Sequence, residues 1–160
     1  QTFSVAETGT CDGFSTAFIA RALADAGFGP GQGRIWTCEF LATRDDDPAT
    51  PFKWPAVWQT LGLADRIVPV FGDSRAPATW TAAGLPAALD AILIDSEHDS
   101  AVVIAEWFEL SPRLSPGGLA FFHDVALFPD VARAVASLAT ANGAGTTTLD
   151  SCRGLALLRL

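Results

Sequence analysis

The feature that most constrains this chain is a short apolar run, Ala91-Ile92-Leu93-Ile94, that stops abruptly at Asp95. Apolar residues without polar alternation suit a strand buried on both faces, as a central parallel strand between helices is. A second run, Leu119 to Phe122, stops in the same way at His123-Asp124. Strand-like and helix-like stretches alternate around these two runs, with Gly, Pro or Asp between them, which predicts an α/β domain with a parallel sheet. With 160 residues, 49% of them apolar, the chain can fill one substantial core but not two, so residues 1–160 are read as a single domain.

Phe3 to Glu7 reads as the first strand, followed by a turn from Gly9 to Gly13. The next helix carries the apolar stripe Phe18, Ile19, Ala22, Leu23 and Ala26, expected to face the core, with Arg21 and Asp25 on its wet side and Gly27 at its end. Arg34 to Glu39 is the second strand. Thr43 to Pro55, polar and carrying Asp45-Asp46-Asp47, is expected to be a surface loop before a short helix from about Ala56 to Leu63. Ile67 to Phe71 is the third strand; its Pro69 has no N–H to donate, so this strand is expected at a sheet edge. Val102, Val103, Trp107 and Leu110 mark a helix after Asp95, and a tight turn, Ser115 to Gly118, leads into Leu119. Val131, Val135 and Leu138 mark another helix, stopped by Asn142-Gly143, and Thr146–Leu149 with Leu155–Leu160 read as a closing antiparallel hairpin. Trp36, Trp80 and Trp107 are assigned to packing, while Trp54 and Trp58, beside the polar loop, are candidates for lining a substrate entrance.

Ten basic against eighteen acidic residues leave a net charge of −8, which excludes a protein that reads nucleic-acid phosphates. No apolar stretch approaches the ~20 residues of a membrane helix, so no membrane partner is expected. Cys11, Cys38 and Cys152 are odd in number and widely spaced, fitting neither a disulfide framework nor a CxxC zinc site, and a reducing, cytoplasmic setting follows. Cys11 is read as a small packing residue. No leader pattern opens the chain, and Gln1 stands where an initiator Met would be, so a missing natural N-terminus is expected.

The strand ends carry Glu7 with Gly9, Glu39, Gly72 with Asp73, Asp95, and His123 with Asp124. In an open α/β sheet ligands bind outside the carboxyl ends of the strands, so these side chains should converge on the site. The Gly9-to-Gly13 turn offers close backbone approach and free N–H groups at a helix start. Glu7 and Asp12 beside it would repel a diphosphate, so the crevice suits a cationic or neutral nucleoside. Glu39 is placed to accept from both hydroxyls of a ribose, as one carboxylate can.

Together these residues resemble the class I S-adenosylmethionine-dependent methyltransferases, and more narrowly the small-molecule O-methyltransferases of the cephalosporin and macrolide-sugar type. The segment from Glu7 through Gly9 and Gly13 to Thr16 resembles the loop that wraps the methionine end of the cofactor, and Ile94-Asp95-Ser96-Glu97-His98 resembles the family's I-D-G-D-H. Leu114-Ser115-Pro116-Gly117-Gly118, running on to Phe122-His123-Asp124, resembles its L-x-P-G-G entry to strand five. The resemblance implies a Rossmann-like, seven-stranded, mostly parallel sheet in the order 3-2-1-4-5-7-6, flanked by helices, with the last strand antiparallel. That order also sets the third strand at an edge, where Pro69 is tolerated. It implies S-adenosylmethionine as cofactor, with Glu7, Gly9, Thr10, Gly13 and Ser15 around the methionine portion, Glu39 on the ribose, Asp73 and Ser74 at the adenine, and Phe40 and Asp95 completing the binding set. The implied acceptor is a small hydroxylated molecule. Family members carry helices before strand one that cover the acceptor and build oligomer contacts; this chain is expected to lack such an N-terminal extension, and a homo-oligomer stays open.

In the metal-dependent members an Asp ending strand four and an acidic pair ending strand five hold a divalent cation, and a His three residues after the first Asp acts as base. Asp95, His98 and Asp124 fall at these places, so the resemblance implies catalytic roles for Asp95, His98 and His123 and a metal set of Asp95, Asp124 and His123. Position 123 departs from the pattern: His replaces an acid, and nitrogen is a poor ligand for magnesium, so Mg2+, another divalent metal or none all stay open. His98 as a helix cap, and the His123-Asp124 pair as a substrate contact or strand closure, are the plainer readings. Ser100 stands where relatives often have an aromatic, and the chain has no Tyr. Two other functions fit the same sheet: a nucleotide-dependent oxidoreductase, against which the absent G-x-G-x-x-G and the acidic crevice count, and a methyltransferase-like domain without catalysis.

Overall fold

The computed structural model describes residues 2–29, 31–41, 43–44, 47–151 and 153–159. Gln1, Asp45, Asp46, Cys152 and Leu160, all used in the reading above, lie outside the described residues. Strands β1 (Phe3–Thr8), β2 (Gly33–Glu39), β3 (Ile67–Phe71), β4 (Leu89–Ile94), β5 (Leu114–His123), β6 (Gly145–Leu149) and β7 (Leu155–Arg159) build one sheet in the order 3-2-1-4-5-7-6. The first five pair in parallel, while β7 runs antiparallel to both β5 and β6. This is the Rossmann-like order expected from the resemblance. Pro69 sits in β3, which has a single neighbour, β2, so its missing N–H interrupts no second ladder.

Helices α1 (Phe14–Asp25), α2 (Trp54–Thr60), α3 (Pro77–Ala82), α4 (Ser100–Leu110) and α5 (Pro129–Asn142) flank the sheet. Their starts follow local chemistry. Pro occupies the first turn of α2, α3 and α5, and the Asp99 side chain caps α4 by accepting from the Ala101 and Val102 N–H groups. Gly143, at φ 60°, ends α5 as expected. The third helix was not anticipated in the sequence.

Strand side chains alternate between two packed layers. Val5, Ile35 and Ile67 join Ala20 and Leu23 of α1 and Trp54 and Trp58 of α2. Ala6, Trp36, Ile92 and Phe122 point the other way, against Trp80, Val103, Trp107, Val131 and Leu138 of α3 to α5. The two helix-bearing faces differ in coverage, and this shapes the site: over β4, β5 and β7 the first face is left as an open apolar groove.

Several expectations are corrected. The stripe Phe18, Ile19, Ala22, Leu23 and Ala26 borders that groove; the buried positions of α1 are Thr16, Ala20 and Leu23, and Phe18 is 75% exposed. Trp54 and Trp58 line no entrance. They stack at 4.3 Å between centroids inside the core, because Gly13 has no Cβ to hold them off. Helix α2 therefore begins at Trp54, two residues earlier than expected, and the polar loop before it contains a two-stranded ribbon, Thr43–Arg44 with Asp47–Pro51. Ser115 to Gly118 belongs to β5 itself, since Leu114 already pairs with Leu89 across an irregularity in the ladder.

Candidate active site

The carboxyl ends of β1 to β4 surround a cavity of about 610 Å³ whose wall includes Glu39, Phe40, Asp73, Ser74, Asp95 and Ser96. Glu39 is held by the backbone: Oε2 accepts from the Cys11 N–H at 2.8 Å and Oε1 from the Phe40 N–H at 2.9 Å. Cys11 takes φ 48° to present that N–H, and its side chain is exposed, so it is not the packing residue expected. Asp73 is engaged by Arg75, whose Nε lies 2.7 Å from Oδ1, and this guanidinium holds the carboxyl below the usual carboxylate range. Ser74 lies one residue on, with its hydroxyl turned inward.

A second cavity, about 960 Å³, lies beyond Asp95 on the uncovered sheet face. Phe14, Phe18, Leu93 and Phe121 give it an apolar floor and flank, and Phe14 is 69% exposed there. Its polar end carries Asp95, His98, His123, Asp124 and Arg153. Ser15 and Thr10 also border it. Gly9, Cys11, Asp12, Asp95 and Ser96 line both cavities, so the two spaces meet along one narrow wall.

At that polar end Asp95, His123 and Asp124 each bring one ligand atom within 4.8 Å of the others. His123 Nδ1 lies 3.0 Å from an oxygen of each Asp. Asp124 is almost fully buried and sits at φ 64°, a left-handed conformation that Asp tolerates better than most residues. Its Oδ2 meets His98 Nε2 at 2.7 Å and Arg153 Nη1 at 3.3 Å. His98 also stacks on Phe128 at 3.7 Å between centroids, which holds the ring in place. Two buried atoms, His123 Nδ1 and Asp124 Oδ1, make no hydrogen bond of good geometry. Burial pushes Asp95 up to about 6, against the pull of His123, with Asp124 adding to the rise. Two carboxylate oxygens and an imidazole nitrogen converging with orphaned lone pairs fit a divalent cation.

Two expected cofactor residues face neither cavity. Glu7 is fully buried, with its Oε2 accepting from Thr37 Oγ1 at 2.6 Å and from Thr16 Oγ1. Burial pushes its carboxyl up, and hydroxyls of Ser15, Thr16 and Thr37 oppose this. Gly13 serves packing, for a Cβ there would lie 2.8 Å from Trp54 Cβ. Thr10 is buried against Thr37, its hydroxyl 2.7 Å from that of Thr37. Sequence reasoning missed Arg75, Arg153 and Glu106. Glu106 carried a signal, a carboxylate among Val103, Trp107 and Leu110 on one helical face.

The two cavities share a wall that includes Asp12 and Asp95, and both lie outside the carboxyl ends of the strands, where an open α/β sheet binds its ligands. Residues 6–125 match the family described as a methyltransferase domain, and the chain belongs to that family. No curated protein matches it. Its fold is similar to that of the O-methyltransferase NovP (TM-score 0.75, 14% identity, covering 98% of this chain and 71% of NovP). It is similar also to an O-methyltransferase from Bacillus cereus in complex with SAH (TM-score 0.74, 18% identity, 98% and 73% covered). A third likeness is to TomG from Streptomyces achromogenes, involved in tomaymycin synthesis and solved with SAM (TM-score 0.72, 18% identity, 100% and 74% covered).

Proposed function

We propose that residues 1–160 form a single S-adenosylmethionine-binding domain that transfers the cofactor's methyl group to a hydroxyl oxygen of a small molecule. The observation that carries this reading is the shared wall between the two cavities: a nucleoside in the first and an acceptor in the second would meet at Asp95. When bound, S-adenosylmethionine supplies a methyl group already activated on a sulfonium, so the protein has to align two reactants and accept one proton. Glu39 binds the ribose hydroxyls, Ser74 and Phe40 border the base, and Gly9 lets backbone approach the reacting end. The apolar groove along Phe14, Phe18 and Phe121 receives the acceptor's carbon framework, and His98 is the group that takes its hydroxyl proton, His123 filling that role only where no cation occupies its Nδ1. Asp95, His123 and Asp124 would hold a divalent cation, which would polarise the acceptor hydroxyl. The free thiols of Cys11 and Cys38 support the cytoplasmic setting.

Calorimetric titration with S-adenosylmethionine and S-adenosylhomocysteine tests this. Wild type should bind both, and Glu39→Ala should bind at least tenfold more weakly, since a hydrogen bond to a charged group is worth about 1.5–3 kcal/mol. Binding of a nicotinamide cofactor in place of either compound would overturn the reading in favour of an oxidoreductase.

A further inference from the structure

Glu106 is a buried acid with a large hydrogen-bond load and no place in the chemistry above. It sits on the core face of α4, 0% exposed, and lines neither cavity. Three hydroxyls from three different strand ends converge on it. Thr8 Oγ1, at the end of β1, donates to Oε2 at 3.0 Å. Ser74 Oγ, after β3, and Ser96 Oγ, after β4, both donate to Oε1 at 2.5 Å. The Thr8 oxygen also accepts from the Asp95 N–H at 3.2 Å, so its own hydrogen goes to Glu106. Burial pushes the Glu106 carboxyl up, and the three hydroxyls pull it back toward the charged form.

A carboxylate can only accept, and a serine hydroxyl has one hydrogen to give. Ser74 and Ser96 both line the nucleoside cavity, and both spend that hydrogen away from it. Toward the cavity they present lone pairs alone. We propose that Glu106 sets the hydrogen-bond polarity of the base end of this cavity, making Ser74 and Ser96 acceptors that select a base with an exocyclic amino group, as in adenine, over one with a carbonyl there, as in hypoxanthine. This rests on the preceding reading that a nucleoside occupies the cavity. Glu106 is then a positioning residue: it touches no ligand and acts through the two serines. A carbonyl facing two acceptor oxygens would leave all three unpaired, the arrangement that rejects most strongly in a buried site.

The test uses S-adenosylhomocysteine and its deaminated analogue, S-inosylhomocysteine, titrated calorimetrically into the whole chain. Wild type should prefer the adenosyl compound by tenfold or more. Glu106→Leu removes the acceptor of both serine hydroxyls, freeing their hydrogens to face the cavity, and should narrow the preference at least tenfold. Ser74→Ala removes one acceptor while leaving the buried charge in place, and should narrow it through weaker adenosyl binding, which keeps the idea testable if Glu106→Leu does not fold. A purely structural Glu106 would weaken both ligands equally and leave their ratio unmoved. Wild type that binds neither compound refutes the cofactor reading itself; wild type that binds both alike, or variants that keep the wild-type ratio, refute the role of Glu106 alone.

Discussion

Replacing Gly9 by alanine probes the junction on which both cavities depend. Gly9 has φ 83°, and a Cβ there would stand 2.1 Å from the Asp95 carbonyl oxygen, 2.6 Å from its carbon and 2.7 Å from Ser96 Cα. All three atoms are backbone, so no side-chain rotation relieves the overlap; the end of β4 has to move away from β1. Gly27 supplies the control, because its φ is 86° and nothing lies within 4 Å of its would-be Cβ. Gly27→Ala should therefore cost about 1–2 kcal/mol, the strain of a left-handed alanine. Gly9→Ala carries the same strain plus the displacement of the β1–β4 junction, a total of about 4 kcal/mol or more. Urea unfolding followed by far-UV circular dichroism gives both values, and calorimetry with S-adenosylhomocysteine should show wild-type binding for Gly27→Ala and at least tenfold loss for Gly9→Ala. The reasoning is refuted if the two variants unfold within about 1 kcal/mol of each other.

Trp58→Ala should cost about 3–5 kcal/mol in urea unfolding, because the ring is buried against Trp54 and its Nε1 donates to the Gly13 carbonyl at 3.2 Å; a loss under about 1 kcal/mol would mean that α2 is not anchored there. Glu7 titrates above its ordinary 4.5 in the folded chain, so the stability it contributes is complete below pH 4.5 and lost as pH rises through the raised value. Wild type should therefore lose stability relative to Glu7→Gln between pH 4.5 and 7, by no more than about 1.4 kcal/mol per pH unit, and a difference that is flat or rises with pH would count against a strained buried carboxylate.

What was legible in the sequence was whatever local chemistry decides. Pro69 marks an edge because it lacks a donor, the run Ala91 to Ile94 marks a two-sided strand, and Asn142-Gly143 marks a helix end. What was not legible depends on distant partners. Helical periodicity shows that Phe18 and Ala22 share a face, but not that nothing among the described residues closes over it. Trp54 and Trp58 follow a polar loop, yet a glycine more than forty residues away decides their burial. Turn-forming residues at Ser115 to Gly118 are overridden by ladder pairing that starts at Leu114. Glu106 was overlooked because its partners come from three separate strand ends.

The acids at the strand ends show why residue type and approximate position could not sort the site. Glu7 and Glu39 both stand near the end of a parallel strand, but the register separates them. Glu7 is level with Thr37 in β2 and with Leu93 in β4. Thr8 is level with Cys38 and Ile94, so the next step up brings Glu39, Gly9 and Asp95 to one height. Glu7 lies two residues below that rim, where Thr16 and Thr37 close over it and its carboxylate becomes part of the packing. At the rim, the missing Cβ of Gly9 lets the Asp95 backbone close in while Glu39 on the other side takes the Cys11 N–H. Both flanking carboxylates thereby reach the cavity wall with β1 contributing only backbone between them. A ligand that fills this gap meets negative charge on two sides and backbone in the middle, which favours a cationic centre with hydroxyls beside it over a diphosphate.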